Sequence, residues 1–182
     1  MKLINRFFIV FLLIAVCTVS CKKDDIGGTA TQELSGEWFV TADALNADGS
    51  LIEKDIYGIG HFLVGTYNVS GNTSDAIFID DYENFWAFKG KVNADLGTAT
   101  FSGSDVENEY PTDLDPDPDV EDLIYVPFTV TNGKILKGAA TTPSGMPADS
   151  IVFEVKFDDD TSFDRYRITG YRYTGFVDDE DH

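Results

Sequence analysis

The sequence predicts an all-β protein, a single antiparallel β-barrel of about eight to nine strands. From Leu34 onward, short apolar runs rich in β-branched and aromatic residues are separated by Gly, Asn and Asp. No stretch keeps helical spacing for long. About nine such runs within roughly 145 residues fit one barrel or sandwich, and a closed barrel leaves no sheet edge exposed.

The strands are predicted from period-2 alternation, which buries one face of a strand and leaves the other in water. Residues 150–157, 84–92 and 123–130 alternate most clearly, although Pro127 indicates an edge or a bulge in the last of these. The side chains predicted to face inward from these three runs are Trp86, Phe88, Val92, Ile124, Val126, Phe128, Val130, Ile151, Phe153, Val155 and Phe157.

Less regular apolar runs supply the remaining strands and the turns between them. The Asn132–Gly133 pair predicts a β-hairpin turn between two β-rich runs. The other predicted strands are 36–45, 57–68, 75–80, 97–102, 134–140 and 165–176, and the other predicted turns are 48–49, 71–72 and 95–97.

Charge and composition exclude two classes of protein. The chain carries 13 Lys and Arg residues against 32 Asp and Glu residues, a formal net charge of −19. A sequence-independent nucleic-acid binder needs cationic side chains for the phosphates, so no nucleic-acid partner is expected. The hydrophobic fraction of 43% can fill a core, which argues against a disordered chain.

The N-terminus has the layout of a secretory signal peptide. Lys2 and Arg6 precede the apolar run 7–17, and this run is shorter than the roughly 20 residues that span a bilayer. We therefore expect residues 1–20 to be removed. Cys21 would then be the single cysteine of the exported chain, and a lone thiol in an exported protein requires an explanation.

The context of Cys21 resembles a bacterial lipobox, in which the cysteine sulfur receives a diacylglycerol and becomes the first residue. This implies a lipoprotein held in the membrane by its acyl anchor. The sequence Lys22-Lys23-Asp24-Asp25 resembles a surface-export signal, so we expect an outer membrane lipoprotein at the cell surface or on the periplasmic face. Residues 21–33 would form the lipidated cysteine and a flexible tether, residues 34–177 the barrel domain, and residues 178–182 an acidic tail.

An acidic stretch, residues 105–122, contains nine acids and no base. Pro116 and Pro118 favour an extended or polyproline backbone, on which alternate carboxylates fan outward rather than converge on one ion. A solvated loop is therefore expected and no metal site is assigned, although weak Ca²⁺ binding stays an alternative.

The sequence offers few residues that could form a catalytic site. The histidines are His61 and His182, no G-x-S-x-G elbow occurs, and the proposed anchor is the one cysteine left after cleavage. No catalytic residue and no cofactor is therefore assigned, and we expect a binding protein rather than an enzyme. A hydrolase that uses His61 is the alternative.

The first strand begins with Gly36-Glu37-Trp38, which resembles the Gly-x-Trp signature of lipocalins and calycins. In those proteins the Trp closes one end of the barrel, and an Arg from the last strand packs across its ring. The resemblance implies this role for Trp38. Arg165, Arg167 and Arg172 are the candidate partners, and Arg172 is preferred because it shares a face with Ile168 and Phe176.

Together with residues 60–68 and 168–176, this start resembles a family of Bacteroidetes-type lipoproteins described as lipid-binding putative hydrolases. The similarity covers about residues 34–177 and implies a lipocalin-like barrel that binds lipid. No catalytic motif of that family can be carried over to these residues.

These observations give the functional hypothesis of a membrane-anchored lipoprotein that binds a small hydrophobic or amphipathic, lipid-like ligand. The expected lining residues are Trp86, Phe88, Ile124, Val126, Phe128, Phe153 and Val155. One alternative is an accessory surface subunit of an outer-membrane nutrient-uptake complex, with Tyr171 and Tyr173 facing a protein partner. Another is a hydrolase that acts on lipid or glycan.

Overall fold

The structure is a computed structural model that describes residues 27–113 and 122–180. The signal peptide predicted at 1–20, Cys21, residues 22–26 of the tether, residues 114–121 of the acidic stretch and His182 lie outside the described residues. The predictions made for them, and the domain boundaries at 34 and 177, stay predictions. Within the described ranges, no helix is long and apolar enough to cross a membrane.

Eleven β-strands and three short 3₁₀ turns make up the described regular structure. The turns are Gln32–Leu34, Ile56–Gly58 and Val177–Asp179. The strands are β1 (Gly36–Leu45), β2 (Leu51–Glu53), β3 (Phe62–Asn68), β4 (Ala76–Asp80), β5 (Lys89–Asp95), β6 (Thr100–Val106), β7 (Thr112–Asp113), β8 (Leu123–Ile124), β9 (Phe128–Thr141), β10 (Pro147–Phe157) and β11 (Arg165–Arg172).

Eight of the strands close into an antiparallel up-and-down barrel, in the order β1-β3-β4-β5-β6-β9-β10-β11 and back to β1. Closure is made by β1 and β11, which pair from Trp38 opposite Arg172 to Leu45 opposite Arg165. β2 extends the sheet beside the end of β1, and β7 and β8 form a separate two-stranded ribbon. The predicted all-β barrel is therefore confirmed.

The interior of the barrel is filled by the inward face of each strand. Along β1, buried and less buried side chains alternate from Trp38 to Ala44, as a strand with one wet face requires. Phe88, Phe128 and Phe153 meet in the middle, with the ring centre of Phe88 5.3 Å from that of Phe128 and 6.5 Å from that of Phe153. All three rings are 0% exposed, so no water-sized void adjoins them.

Successive barrel strands run in opposite directions, so the connections between them lie alternately at one end of the barrel and at the other. The closed end carries the chain segment 27–35, the short turns 69–75, 96–99 and 142–146, and the C-terminal segment 173–180. The open end carries four longer connections, whose described residues are 46–61, 81–88, 107–113 with 122–127, and 158–164.

The hairpin predicted at Asn132–Gly133 is wrong, because β9 runs unbroken through both residues. They form a β-bulge. At this point β9 has two residues between consecutive paired positions, whereas its neighbours β6 and β10 each have one. Asn132 has a φ of 57°, and a Cβ on Gly133 would lie 2.4 Å from the carbonyl oxygen of Phe101. The left-handed Asn and the Gly are thus required by a bulge rather than by a turn.

The strand predicted at 123–130 is divided in two. Leu123–Ile124 pairs with Thr112–Asp113 in the small ribbon, and β9 begins at Phe128, just after Pro127, which cannot donate to a ladder. Ile124 is therefore 36% exposed and Val126 lies in a half-buried connection, so the prediction that Ile124 and Val126 line the interior is wrong.

Candidate functional site

The closed end is sealed around Trp38. Its indole Nε1 donates to the Thr66 hydroxyl at 2.9 Å, and that hydroxyl donates to the Leu34 carbonyl at 2.6 Å. The guanidinium carbon of Arg172 lies 4.5 Å from the centre of the indole, and its Nη1 donates to the Ser35 carbonyl at 3.0 Å. The structure thus brings together the two residues predicted to close one end of the barrel.

At the open end, the buried carboxylate of Asp81 organises the connection 81–88. Its Oδ1 accepts from the backbone N–H groups of Glu83 and Phe88, and its Oδ2 accepts from those of Phe85 and Trp86, all at 2.9–3.1 Å. Burial raises the pKa of Asp81, and the four donors oppose that shift. One side chain therefore holds the whole connection folded over the barrel mouth.

This connection places Phe85 and Trp86 in the mouth of the barrel, where both are half-buried. The Trp86 ring stacks on Phe157 with centres 5.0 Å apart and planes 8° apart, and Phe85 meets the edge of Tyr166 at 5.0 Å. Phe163 lies beside Tyr166 at 5.9 Å, so the rings form one continuous cluster. We call these five residues the mouth cluster.

A chain of hydrogen bonds runs along one side of the mouth cluster. The Tyr166 hydroxyl donates to Asp160 Oδ2 at 2.5 Å and lies 3.3 Å from the Tyr57 hydroxyl. Burial and the neighbouring Asp160 raise the pKa of Tyr166 above that of a free phenol, so it keeps its proton. Trp86 Nε1 donates to Asp159 Oδ1 at 3.2 Å. Polar groups therefore border the apolar rings.

Exposed apolar side chains are concentrated at the same end. Eight of the eleven exposed large hydrophobic side chains among the described residues belong to the open-end connections: Leu51, Ile52, Tyr57, Ile59, Tyr82, Leu123, Ile124 and Tyr125. Scattered apolar side chains on a surface need no explanation, but the exposed ring of Tyr57 lies 6.4 Å from Phe163 and so extends the apolar surface of the mouth cluster towards solvent.

The predicted lining residues are distributed over different parts of the barrel. Phe88, Phe128, Phe153 and Val155 lie in the packed core with 0% exposure, and Trp86 lies in the mouth. Sequence reasoning missed Tyr57, Phe85 and Phe163, because it searched for inward alternation on strands and these three belong to connections. The signal that could have found them is a large aromatic residue in each of three loops that an up-and-down barrel brings to one end.

His61 lies on the outer face, away from the mouth cluster. Its ring stacks on Phe39 with centres 4.8 Å apart and is 5.8 Å from the ring of Tyr171. Tyr171 is 8% exposed and donates to the Asp179 carbonyl at 2.8 Å, so the C-terminal segment covers the surface expected to face a protein partner. Over the part of the chain that the structure describes, no three His, Cys, Asp or Glu side chains are grouped to hold a metal ion.

Comparison with known proteins gives one match and one negative result. A family model described as "lipid-binding putative hydrolase" matches residues 23–177, most of the chain, and no curated protein matches. The chain therefore belongs to this family. Its family and its closed barrel support a lipid-binding role.

Proposed function

We propose that this family member binds the hydrocarbon part of a lipid-like ligand in the open mouth of the barrel, against the mouth cluster. The observation that carries the proposal is the half-buried state of Trp86, Phe85 and Phe163 in the mouth, next to the exposed ring of Tyr57, which lies 6.4 Å from Phe163. A flexible apolar chain lying on these rings would remove both surfaces from water.

Because the interior is packed, the mouth is a better binding place than the centre of the barrel. A ligand in the centre would have to displace Phe88, Phe128 or Phe153, each of which is already removed from water. A ligand in the mouth covers surface that water still contacts. Eight covered methylenes would contribute about 6 kcal/mol before the costs of association, so binding through the chain alone should be weak, with a Kd above roughly 40 μM.

The ligand chemistry is testable with 1-dodecanol, a neutral single-chain probe, followed through intrinsic fluorescence. The two tryptophans report on opposite ends, because Trp38 is fully buried at the closed end. We expect a saturable change in emission in the wild type and no change in Trp86→Phe, whose emission comes from Trp38. An unchanged wild-type emission over the soluble range of the probe would contradict the proposal.

Affinity itself is best measured by calorimetry on truncated variants. Phe163→Ala should weaken dodecanol binding about tenfold, because it removes roughly 1.4 kcal/mol of apolar contact. Phe78→Ala is the matched control, since Phe78 stacks on Tyr67 on the outer wall of the barrel. Equal losses in the two variants would indicate a binding place other than the mouth.

We also propose that Cys21 is lipidated and holds the barrel at the outer membrane. Gly27 is six residues beyond Cys21, and such a link spans at most about 22 Å. Residues 27–35 lie at the closed end, which supports an arrangement with the mouth directed away from the anchoring bilayer. Metabolic labelling with an alkyne fatty acid should label the wild type and not Cys21→Ala. Labelling of both would contradict anchoring through this residue.

A further inference from the structure

We infer that the ligand of the mouth cluster carries a protonated amine as its polar group, received by the phenol oxygen of Tyr57. This inference rests on the proposed function and adds the headgroup to it.

The direction of the hydrogen bonds determines what Tyr57 can offer a ligand. A carboxylate only accepts, so the single proton of the Tyr166 hydroxyl goes to Asp160. The Tyr166 oxygen must then accept from Tyr57, which uses the Tyr57 proton. The outermost atom of the chain, Tyr57 Oη, is left with lone pairs alone. It suits a ligand that donates, such as an ammonium group, and does not suit a carboxylate.

The backbone at Tyr57 is held in an uncommon conformation that presents this ring. Tyr57 has a φ of 65°, in the left-handed region that costs a bulky residue on the order of 1 kcal/mol or more. The conformation is fixed by Asp55, whose N–H donates to Asp43 and whose carboxylate accepts from the N–H of Gly60. The ring is 57% exposed and lies 6.4 Å from Phe163, so its oxygen borders the apolar surface.

The charges at the open end also favour a cationic headgroup. The described parts of the four open-end connections contain thirteen Asp and Glu residues and one basic side chain of the Lys or Arg type, Lys54. The carboxylates of Asp159 and Asp160 lie directly against the cluster through Trp86 and Tyr166. This surface attracts a cationic headgroup and repels a carboxylate or a phosphate, and aromatic faces add a cation–π attraction.

Three probes with the same chain and different headgroups test the inference: dodecylammonium, 1-dodecanol and dodecanoate at pH 7. Calorimetry should give the tightest binding for dodecylammonium and the weakest for dodecanoate, with at least a tenfold difference between them at 50 mM salt. The difference should narrow at 500 mM salt because counterions screen exposed charges. Equal affinities, or tighter binding of dodecanoate, would overturn the headgroup inference while leaving mouth binding intact. Failure of all three probes to bind would overturn the proposed function as well.

Tyr57→Phe separates the headgroup contact from the chain contact. The variant keeps the exposed ring and loses the accepting oxygen, so dodecylammonium should bind roughly fivefold more weakly while dodecanol changes less. Asp160→Asn should also reduce the preference for the ammonium probe, and Asp75→Asn, at the opposite end of the barrel, is its matched control. An unchanged ratio of ammonium to carboxylate affinity in both Tyr57→Phe and Asp160→Asn would contradict the inference.

Discussion

The guanidinium of Arg172 lies over the indole of Trp38, with its central carbon 4.5 Å from the ring centre, across the strand pair that closes the barrel. The same guanidinium donates to the Ser35 carbonyl and contacts the Asp149 carboxylate. One residue of the last strand therefore fixes the floor of the barrel and the chain that enters it. The half-buried rings of Phe85, Trp86 and Phe163 lie at the opposite end.

Replacement of Arg172 by Ala should lower the free energy of unfolding by about 1–3 kcal/mol. The variant loses the cation–π contact and the ion pair, and it leaves the Ser35 carbonyl without this donor. Urea unfolding measures the change. Arg167→Ala is the control, because Arg167 pairs with Asp43 on the outer surface at 3.0 Å and should cost less than about 1 kcal/mol. An equal loss in both variants would mean that stacking on Trp38 adds nothing.

Asp81→Asn should loosen the connection that carries the mouth cluster. An amide has one accepting atom, so two of the four N–H donors lose their acceptor, at a cost of about 2–4 kcal/mol. We expect lower stability and a red shift of the Trp86 emission as the indole becomes hydrated. Asp158→Asn, an exposed carboxylate in another open-end connection, should show neither effect. A wild-type spectrum for Asp81→Asn would show that other contacts position Trp86.

Gly170→Ala should disrupt barrel closure. A Cβ at position 170 would lie 2.0 Å from the carbonyl oxygen of Phe39 and 2.7 Å from the Cα of Val40, so the backbones of β1 and β11 would have to separate. The expected loss exceeds about 2 kcal/mol in urea unfolding. For Gly71→Ala the nearest such contact is the Thr73 Cγ2, at an ordinary 3.6 Å, and little change is expected. Equal stability of the two variants would argue against tight pairing at the seam.

Acid should release the C-terminal segment through Asp179. Hydrogen bonds from Thr174 and Ser144 lower the pKa of Asp179, so the folded protein binds this proton less readily than the unfolded chain. Its contribution to stability is present above about pH 4, the ordinary range for Asp, and is lost as the pH falls through the folded pKa. The difference in Tm between wild type and Asp179→Asn should therefore shrink below pH 4.

Asp178→Asn provides the comparison for this acid effect, because Asp178 is exposed beside Asp179. Its Tm should follow that of the wild type at every pH. If the Tm difference between wild type and Asp179→Asn were the same at pH 3 and pH 7, the carboxylate of Asp179 would not be the group that responds.

Much of the barrel could be predicted from alternation, because one buried face leaves a period-2 signal in each strand. β1 matches its predicted bounds, and 150–157 falls within β10. Alternation failed where the backbone departs from a regular strand. Asn132 and Gly133 have the composition of a hairpin turn, but a bulge requires the same left-handed conformation. Pro127 ends the ladder that the apolar pattern would continue through Ile124.

The mouth cluster could be predicted less well than the floor. Trp38 and Arg172 belong to strands, and a known signature pointed to both. Phe85, Trp86 and Phe163 belong to connections, and their convergence depends on the topology and on Asp81, whose four hydrogen bonds are all local but leave no hydrophobic pattern. Trp86 was predicted on a strand that begins three residues later, at Lys89.

The most direct test of mouth binding is an NMR titration of the ¹⁵N-labelled protein with dodecylammonium. Binding in the mouth should give saturable shifts in the amides of residues 51–59, 81–88 and 158–164, with the indole N–H of Trp86 moving and that of Trp38 unaffected. Shifts confined to the closed end or to the outer face around Phe39 and His61 would contradict it.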